Sequence, residues 1–139
     1  SLVPERDGEL VATRVEPGKR PRSSMAPTLV FDADGNLELV VGSPGGSRII
    51  AYVTLALIAS LDWQMTPGDA VSLPHHVNRN GATELEAESN LEALAPALEA
   101  LGHEVKIRAL VSGLHAVRIN ADGLAGGADP RREGVVLGN

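Results

Sequence analysis

Residues 28–61 read TLVFDADGNLELVVGSPGGSRIIAYVTLALIASL, and this stretch decides the fold. Two short runs rich in β-branched and aromatic residues, 28–31 and 37–41, flank the segment DADGN at 32–36. Aspartate, glycine and asparagine between two such runs are typical of a hairpin turn. The stretch therefore begins with a predicted antiparallel β-hairpin.

Two helices are predicted beyond the hairpin. The first runs from just beyond Arg48 to about Gln64, and its apolar residues occupy nearly every face, which is typical of a helix buried within a layered domain. The second begins after Thr66, a preferred N-cap residue, with Pro67 at the first helical position. It should end by Leu73, because the next residue is a proline.

A third helix is predicted from a capping box, in which Ser89 is followed three residues later by Glu92. Leucines at spacings of 3, 4 and 3 between Leu91 and Leu101 share one helix face. Pro96 conflicts with an uninterrupted helix, since a proline in a helix interior costs about 3 kcal/mol. Either the helix kinks there, or its regular part begins near Ala95 with the proline in the first turn.

The rest of the chain predicts strands, joined by loops. Alternation of apolar and polar residues predicts strands at 105–109 and 115–119, with a short strand near 124–125. Residues 1–22 are expected to be extended, with little regular structure. Residues 75–88 are expected to be a loop or an irregular strand, and residues 126–139 a loop. Helices between two sets of strands predict an α+β fold, with an antiparallel sheet covered by helices.

Composition excludes several classes of function. The 139 residues suit a single domain, and 43% apolar residues are enough for a core. A net charge of −6 argues against general binding to nucleic-acid phosphates, and three aromatic residues are too few for a base-stacking surface. There is no cysteine to form a disulfide or act as a nucleophile. The longest apolar stretch, 49–61, is 13 residues, shorter than the roughly 20 that span a membrane.

The glycine-rich segment 42–48 is the sharpest candidate site. Gly45 and Gly46 leave the backbone bare where a helix begins, so their N–H groups can face an anion, either a phosphate or the oxyanion of a reacting carbonyl. A P-loop is excluded because no lysine lies in the segment. The alternative is a tight strand-to-helix turn that needs positive φ angles, and local physics alone favours it.

Other polar groups are weaker candidates for a functional site. Ser23 and Ser24 follow a basic cluster and can hold a carboxylate, although paired serines are more often turn residues. The acidic residues 84, 86 and 88 alternate and favour a solvated strand edge over a cation site. The adjacent pair His75–His76 is not expected to chelate a metal, because neighbours on an extended strand point to opposite faces. His103 and His115 are expected to be structural.

Three motifs resemble the γ-glutamyltranspeptidase family. Residues 18–28, GKRPRSSMAPT, are similar to its signature G-K-R-P-x-S-S-M-x-P-T. Residues 42–50, GSPGGSRII, and residues 129–132, DPRR, match two further motifs in the same order and at similar separations. The resemblance covers essentially the whole chain from residue 16 to residue 139.

The resemblance implies an N-terminal nucleophile hydrolase with four layers, namely helices, two sheets and helices. Such an enzyme moves the γ-glutamyl group of glutathione or a related amide onto a threonine, and then to water, an amino acid or a peptide. It implies that Ser23 and Ser24 bind the α-carboxylate of that group and that the N–H groups of Gly45 and Gly46 form the oxyanion hole. It implies no cofactor and no metal, a periplasmic or secreted location, and a large subunit as partner.

One expected part has no match. No segment resembles the threonine start of the family's small subunit, or the acidic segment that holds the substrate's amino group. The resemblance therefore predicts the C-terminal part of a small subunit, which needs the rest of that subunit and is inactive alone. Two alternatives stay open: a related amidase of the cephalosporin-acylase type, and a non-catalytic interaction module on the same scaffold.

Overall fold

The computed structural model describes residues 5–138 and contains runs of short strands separated by helices. The nine strands of this part of the chain are β1 (Glu5–Arg6), β2 (Glu9–Leu10), β3 (Thr28–Phe31), β4 (Leu37–Gly42), β5 (His76–Asn78), β6 (Thr83–Glu86), β7 (Val105–Arg108), β8 (His115–Asn120) and β9 (Gly123–Ala128). The α-helices are α1 (Ile49–Leu61), α2 (Pro67–Ser72) and α3 (Ala95–Ala100). Single 3₁₀ segments at Gly46–Arg48 and Asn90–Leu94 lead into α1 and α3.

A four-stranded antiparallel sheet with strand order β3-β4-β8-β9 carries the predicted hairpin. The side chain of Asp32 closes the hairpin turn by accepting hydrogen bonds from the N–H groups of Asp34 and Asn36, at 2.9 and 2.8 Å. The hairpin prediction is therefore confirmed. Strand β9 is longer than the predicted short strand at 124–125, because it pairs with β8 along its whole length, from Gly123 to Ala128.

A second, three-stranded sheet has the order β5-β6-β7. Strands β5 and β6 pair antiparallel, so residues 75–88 are more regular than the expected loop. Strand β7 pairs with β6 in parallel, Thr83 lying opposite Val105. Parallel pairing needs a crossover connection, which the third helical segment supplies here. The sheets are thus antiparallel except for this pair, and the predicted α+β class is confirmed.

Helix α1 packs against the four-stranded sheet and forms the centre of the core. Tyr52, Val53 and Ala56 of the helix are buried with Leu39 and Val41 of β4. The helix ends at Leu61 rather than near residue 64, where Gln64 takes a left-handed conformation with φ of 56°. Ile50 and Ile58 stay exposed, so within residues 5–138 the helix is buried on one side only.

The two shorter helices begin largely as their capping residues predict. The Thr66 hydroxyl accepts a hydrogen bond from the N–H of Asp69 at 3.2 Å, which confirms the predicted N-cap. Pro96 lies in the first turn of α3 after a 3₁₀ segment, so the second of the two alternatives is correct. The leucine face of this region is not buried within the described residues, and Leu101 is 78% exposed.

Among residues 5–138, none of the helices is long and apolar enough to cross a membrane.

Candidate active site

The glycine turn joins the end of β4 to helix α1, and both of its glycines have positive φ angles. Gly45 has a φ of 142° and Gly46 a φ of 62°, conformations that side chains rarely allow. A Cβ on Gly45 would lie only 2.8 Å from Cε2 of Tyr52, whereas a Cβ on Gly46 would have no atom within 4 Å. Gly45 therefore packs against the core, and Gly46 borders open space.

The N–H groups of this turn are available to a ligand. Within residues 5–138, neither the N–H of Gly45 nor that of Gly46 donates a hydrogen bond to the protein. The carbonyl of Gly46 accepts from the N–H of Ile49, which starts the helix. Two adjacent free donors at a conformationally restricted turn can bind an anionic oxygen.

The serine pair and the glycine turn border the same cavity, of about 930 Å³. Ser23, Ser24 and Gly46 all line it, although more than twenty residues separate the serines from the glycines. The hydroxyl oxygen of Ser23 accepts a hydrogen bond from the N–H of Met25 at 3.1 Å, which leaves its own hydrogen free to donate. Ser23, Ser24 and Gly46 are thus brought together at one cavity, whereas Gly45 is not among the residues that line it.

The cavity wall is basic. Five of its residues are positively charged, namely Arg14, Lys19, Arg20, Arg22 and Arg79. The wall has one acidic residue, Glu16, which forms ion pairs with Arg14 and Lys19. This excess of positive charge favours a ligand that carries a carboxylate.

Contacts from both sides hold the turn in place. The Ser43 hydroxyl oxygen accepts from the N–H of Gly113 at 3.2 Å. A Cβ on Gly113 would lie 2.7 Å from Cγ of Pro44, so the loop before β8 packs directly against the turn. On the other side, Arg48 donates to both carboxylate oxygens of Glu84, at 2.6 and 2.8 Å.

The prediction that Glu84, Glu86 and Glu88 form a solvated strand edge is wrong for the first two. Glu84 is buried and is surrounded by the guanidinium groups of Arg48, Arg79 and Arg108. The hydrogen bond from Arg48, with the other two positive charges, lowers the pKa of Glu84 to about 2. Glu86 pairs with Arg131 at 2.5 Å, while Glu88 is exposed as expected. The carboxylates attract arginines from distant parts of the chain, which strand alternation alone does not reveal.

Sequence patterns also missed a buried polar network. Nε2 of His75 lies 2.6 Å from the hydroxyl of Ser112, which donates to the carboxylate of Asp129. All three residues are at most 2% exposed. Their burial and the placement of the serine between the other two residues make this a structural arrangement and not a nucleophilic triad. Asp129 opens the DPRR motif, the one sequence signal that points to it.

The network lies directly beneath the glycine turn. The His75 ring stacks on Tyr52, with ring centroids 4.3 Å apart, and Tyr52 in turn touches Gly45. Burial, with the nearby positive charge of Arg131, lowers the pKa of His75 to about 4. The histidine is therefore neutral near pH 7 and supports the packing below the site.

We expect acid to destabilise the protein through His75. The folded-state pKa of about 4 is below the ordinary value of 6.5, so between these pH values the unfolded chain binds a proton that the folded chain does not. The free energy of unfolding should fall across this window by up to about 1.4 kcal/mol per pH unit. Urea denaturation between pH 7 and pH 5 measures the slope.

The matched variants are His75→Gln and His76→Gln, since His76 is exposed. The slope should flatten in the first variant and persist in the second. An unchanged slope in His75→Gln would show that other groups cause the acid sensitivity.

Two further histidines, His103 and His115, make hydrogen-bonding contacts within the protein. Nδ1 of His103 lies 3.1 Å from the Thr83 hydroxyl, and Nδ1 of His115 lies 3.1 Å from the carbonyl of Gly113. Nowhere in residues 5–138 do three or more His, Asp or Glu side chains come together in a way that would hold a metal ion.

Solved structures with this architecture are N-terminal nucleophile hydrolases, and that is the class the fold defines. A chain of the γ-glutamyltranspeptidase from Pseudomonas nitroreducens, complexed with L-DON, matches with a TM-score of 0.82 and 29% identity. The match covers 95% of this chain and 72% of that one. The transpeptidase CapD from Bacillus anthracis matches with a TM-score of 0.75 and 27% identity, over 97% of this chain and 83% of that one.

The sequence model named gamma-glutamyltranspeptidase matches residues 6–139, and the chain belongs to this family. It is 37% identical to the glutathione hydrolase proenzyme of Escherichia coli K12 over 122 residues, covering 86% of this chain and 21% of that protein. It is 36% identical to the acylase ACY 1 proenzyme of Pseudomonas sp. SE83 over 118 residues, covering 84% of this chain and 21% of that protein. The chain thus spans about a fifth of the length of these relatives.

Proposed function

We propose that this chain supplies the oxyanion hole and the carboxylate site of an enzyme that transfers or hydrolyses γ-glutamyl groups. The observation that carries the proposal is the single cavity bordered by Gly46 and by the serine pair. In the proposed complex, the N–H groups of Gly45 and Gly46 hold the oxygen of the reacting amide. Ser23 and Ser24 donate to the α-carboxylate of the γ-glutamyl group, within the basic wall that attracts it.

The proposed reaction is acyl transfer through an ester. A threonine hydroxyl attacks the γ-carbonyl carbon, the C–N bond breaks, and the amine leaves with a proton. Water or a second amine then attacks the ester carbon and releases the threonine. Neither step changes an oxidation state, so no redox cofactor is needed.

No threonine of residues 1–139 corresponds to the nucleophile in this proposal. The proposed partners of this chain are therefore the remainder of the small subunit and the large subunit. We accordingly expect a polypeptide of residues 1–139 to be inactive by itself. Activity is therefore measured on the complete processed enzyme.

Single substitutions Ser23→Ala and Ser24→Ala test the carboxylate site. Loss of a hydrogen bond to a charged group costs about 1.5–3 kcal/mol, so each should raise the donor KM at least about 10-fold with a smaller change in kcat. Steady-state kinetics with L-γ-glutamyl-4-nitroanilide measure this. Ser72→Ala is the control, because the Ser72 hydroxyl is exposed and donates to a carbonyl of its own helix. A donor KM that stays at the wild-type value in both serine variants would refute the assignment.

A second candidate function is an amidase of the acylase type, favoured by the 36% identity to an acylase proenzyme. A glutaryl amide and a γ-glutamyl amide differ only in the α-amino group. A γ-glutamyl enzyme should prefer the amine-bearing substrate, whereas an acylase of this kind should prefer the glutaryl amide. Comparing kcat/KM for two such anilides decides between them.

A further inference from the structure

Arg79 lies beside the glycine turn and has unused hydrogen-bonding capacity. Its Nη1 donates to the hydroxyl of Ser47, the residue after Gly46, at 2.6 Å. Its Nη2 lies 3.3 Å from Glu84, and the side chain is 42% exposed. A guanidinium has five N–H donors in a planar fork, so several donors stay free to bind a ligand. Arg79 lines the cavity together with Ser23, Ser24 and Gly46.

The charge around Arg79 is not balanced. Glu84 is engaged by Arg48 through two short contacts of 2.6 and 2.8 Å, and by Arg108 at 3.1 Å. Three guanidinium groups therefore share one carboxylate, and the cluster has an excess of two positive charges. Because Arg79 makes the longest of these contacts and borders the cavity, the excess charge is available to a bound anion.

The loop that carries Arg79 is held in one conformation. The side chain of Asn78 accepts from the N–H of Asn80 at 2.9 Å and donates to the carbonyl of Gly81 at 3.0 Å. Asn80 itself is in a left-handed conformation with φ of 60°. A fixed loop places the guanidinium without a further loss of entropy on binding.

We propose that Arg79 determines specificity by binding a carboxylate on the amine that leaves from, or attacks, the acyl group. The inference rests on the proposed function: there the serine pair takes the α-carboxylate, and the glycine turn takes the carbonyl oxygen. The remaining anionic group of a γ-glutamyl peptide is on its amine part. The leaving amine and the attacking amine occupy the same position at the acyl carbon, since one step is the reverse of the other. The site thus selects amino acids and peptides over amines without a carboxylate.

Two donors that differ by one carboxylate test this: L-γ-glutamyl-4-nitroanilide and L-γ-glutamyl-3-carboxy-4-nitroanilide. In the complete processed enzyme, Arg79→Gln should lower kcat/KM for the carboxylated donor at least about 10-fold, as expected for a lost charge-assisted hydrogen bond. The unsubstituted donor should lose a smaller factor, because the serine pair and the other basic residues of the cavity wall still hold its α-carboxylate. Arg79→Lys, which keeps the charge but loses the planar fork, should give an intermediate loss.

Arg108→Gln is the matched control, because Arg108 touches the same carboxylate, is 51% exposed and lies outside the cavity lining. It should leave the ratio between the two donors unchanged. An unchanged ratio in Arg79→Gln, or an equal fall in Arg108→Gln, would overturn the inference while leaving the proposed function intact. Failure of the wild-type enzyme to use either donor would instead overturn the proposed function, and this inference with it.

Discussion

Replacing Gly46 with valine should lower kcat by at least about 100-fold while the donor Kd changes only a few-fold. A forming oxyanion carries more charge than the amide oxygen, so donors fixed at the turn strengthen as the reaction proceeds. Loss of one such donor in other enzymes costs about 2.7–4 kcal/mol. A β-branched residue is strained at the φ of 62° seen here, and its side chain would enter the space that borders the cavity. Single-turnover acylation and equilibrium donor binding measure the two effects separately.

Gly35→Val is the control for backbone strain alone. Gly35 has a φ of 85°, and a Cβ there would also meet no atom within 4 Å, but it lies in the hairpin turn. This variant should acylate at the wild-type rate even if it is less stable. If Gly46→Val acylates within a few-fold of wild type, the glycines form only a tight turn between strand and helix.

Replacing Asp129 with alanine should lower the free energy of unfolding by about 3–5 kcal/mol, the cost of breaking a buried ion pair by removing one partner. Its carboxylate, which is fully buried, accepts hydrogen bonds from the Ser112 hydroxyl, the N–H of Leu114 and the guanidinium of Arg131. Although burial opposes ionisation, these hydrogen bonds outweigh it and lower the pKa of Asp129. The stabilisation is therefore present above the ordinary pKa and is lost as the pH falls below it.

Urea denaturation at pH 7 of the complete processed enzyme gives the size of the effect. Glu104→Ala removes an ion pair in which both side chains are more than half exposed, so it should change the stability by less than about 1 kcal/mol. Asp129→Asn, which keeps the shape and some of the hydrogen bonds, should fall between the two. A loss below about 1 kcal/mol in Asp129→Ala would mean that the buried network does not hold the site in place.

Local structure was largely predictable because its causes lie within a few residues of one another. The hairpin turn depends on Asp32 and the two N–H groups it accepts from, which are at most four residues away. The N-cap of α2 likewise depends on Thr66 and Asp69. Local chemistry marked the serines and the glycine turn as candidates, and motif resemblance gave them roles in one site, since nothing in their spacing says that they meet.

Long-range contacts were not predictable in the same way. The third strand of the smaller sheet pairs in parallel with β6, although adjacent strands favoured antiparallel pairing. The carboxylates of Glu84 and Glu86 reach arginines 36 and 45 residues away. Alternation along a strand shows which side chains share a face, but it does not show which charged residues from distant parts of the chain form ion pairs with those side chains.

By itself the sequence determined the turns, the caps, the apolar helix and the family. Each depends on local backbone preference or on a motif in the residues themselves. Only the tertiary structure decided that Glu84 is buried, that His75, Ser112 and Asp129 meet beneath the glycine turn, and that Arg79 borders the cavity. The reason is physical: burial and charge pairing depend on which distant segments pack together, and packing creates the low-dielectric surroundings that make those pairs matter.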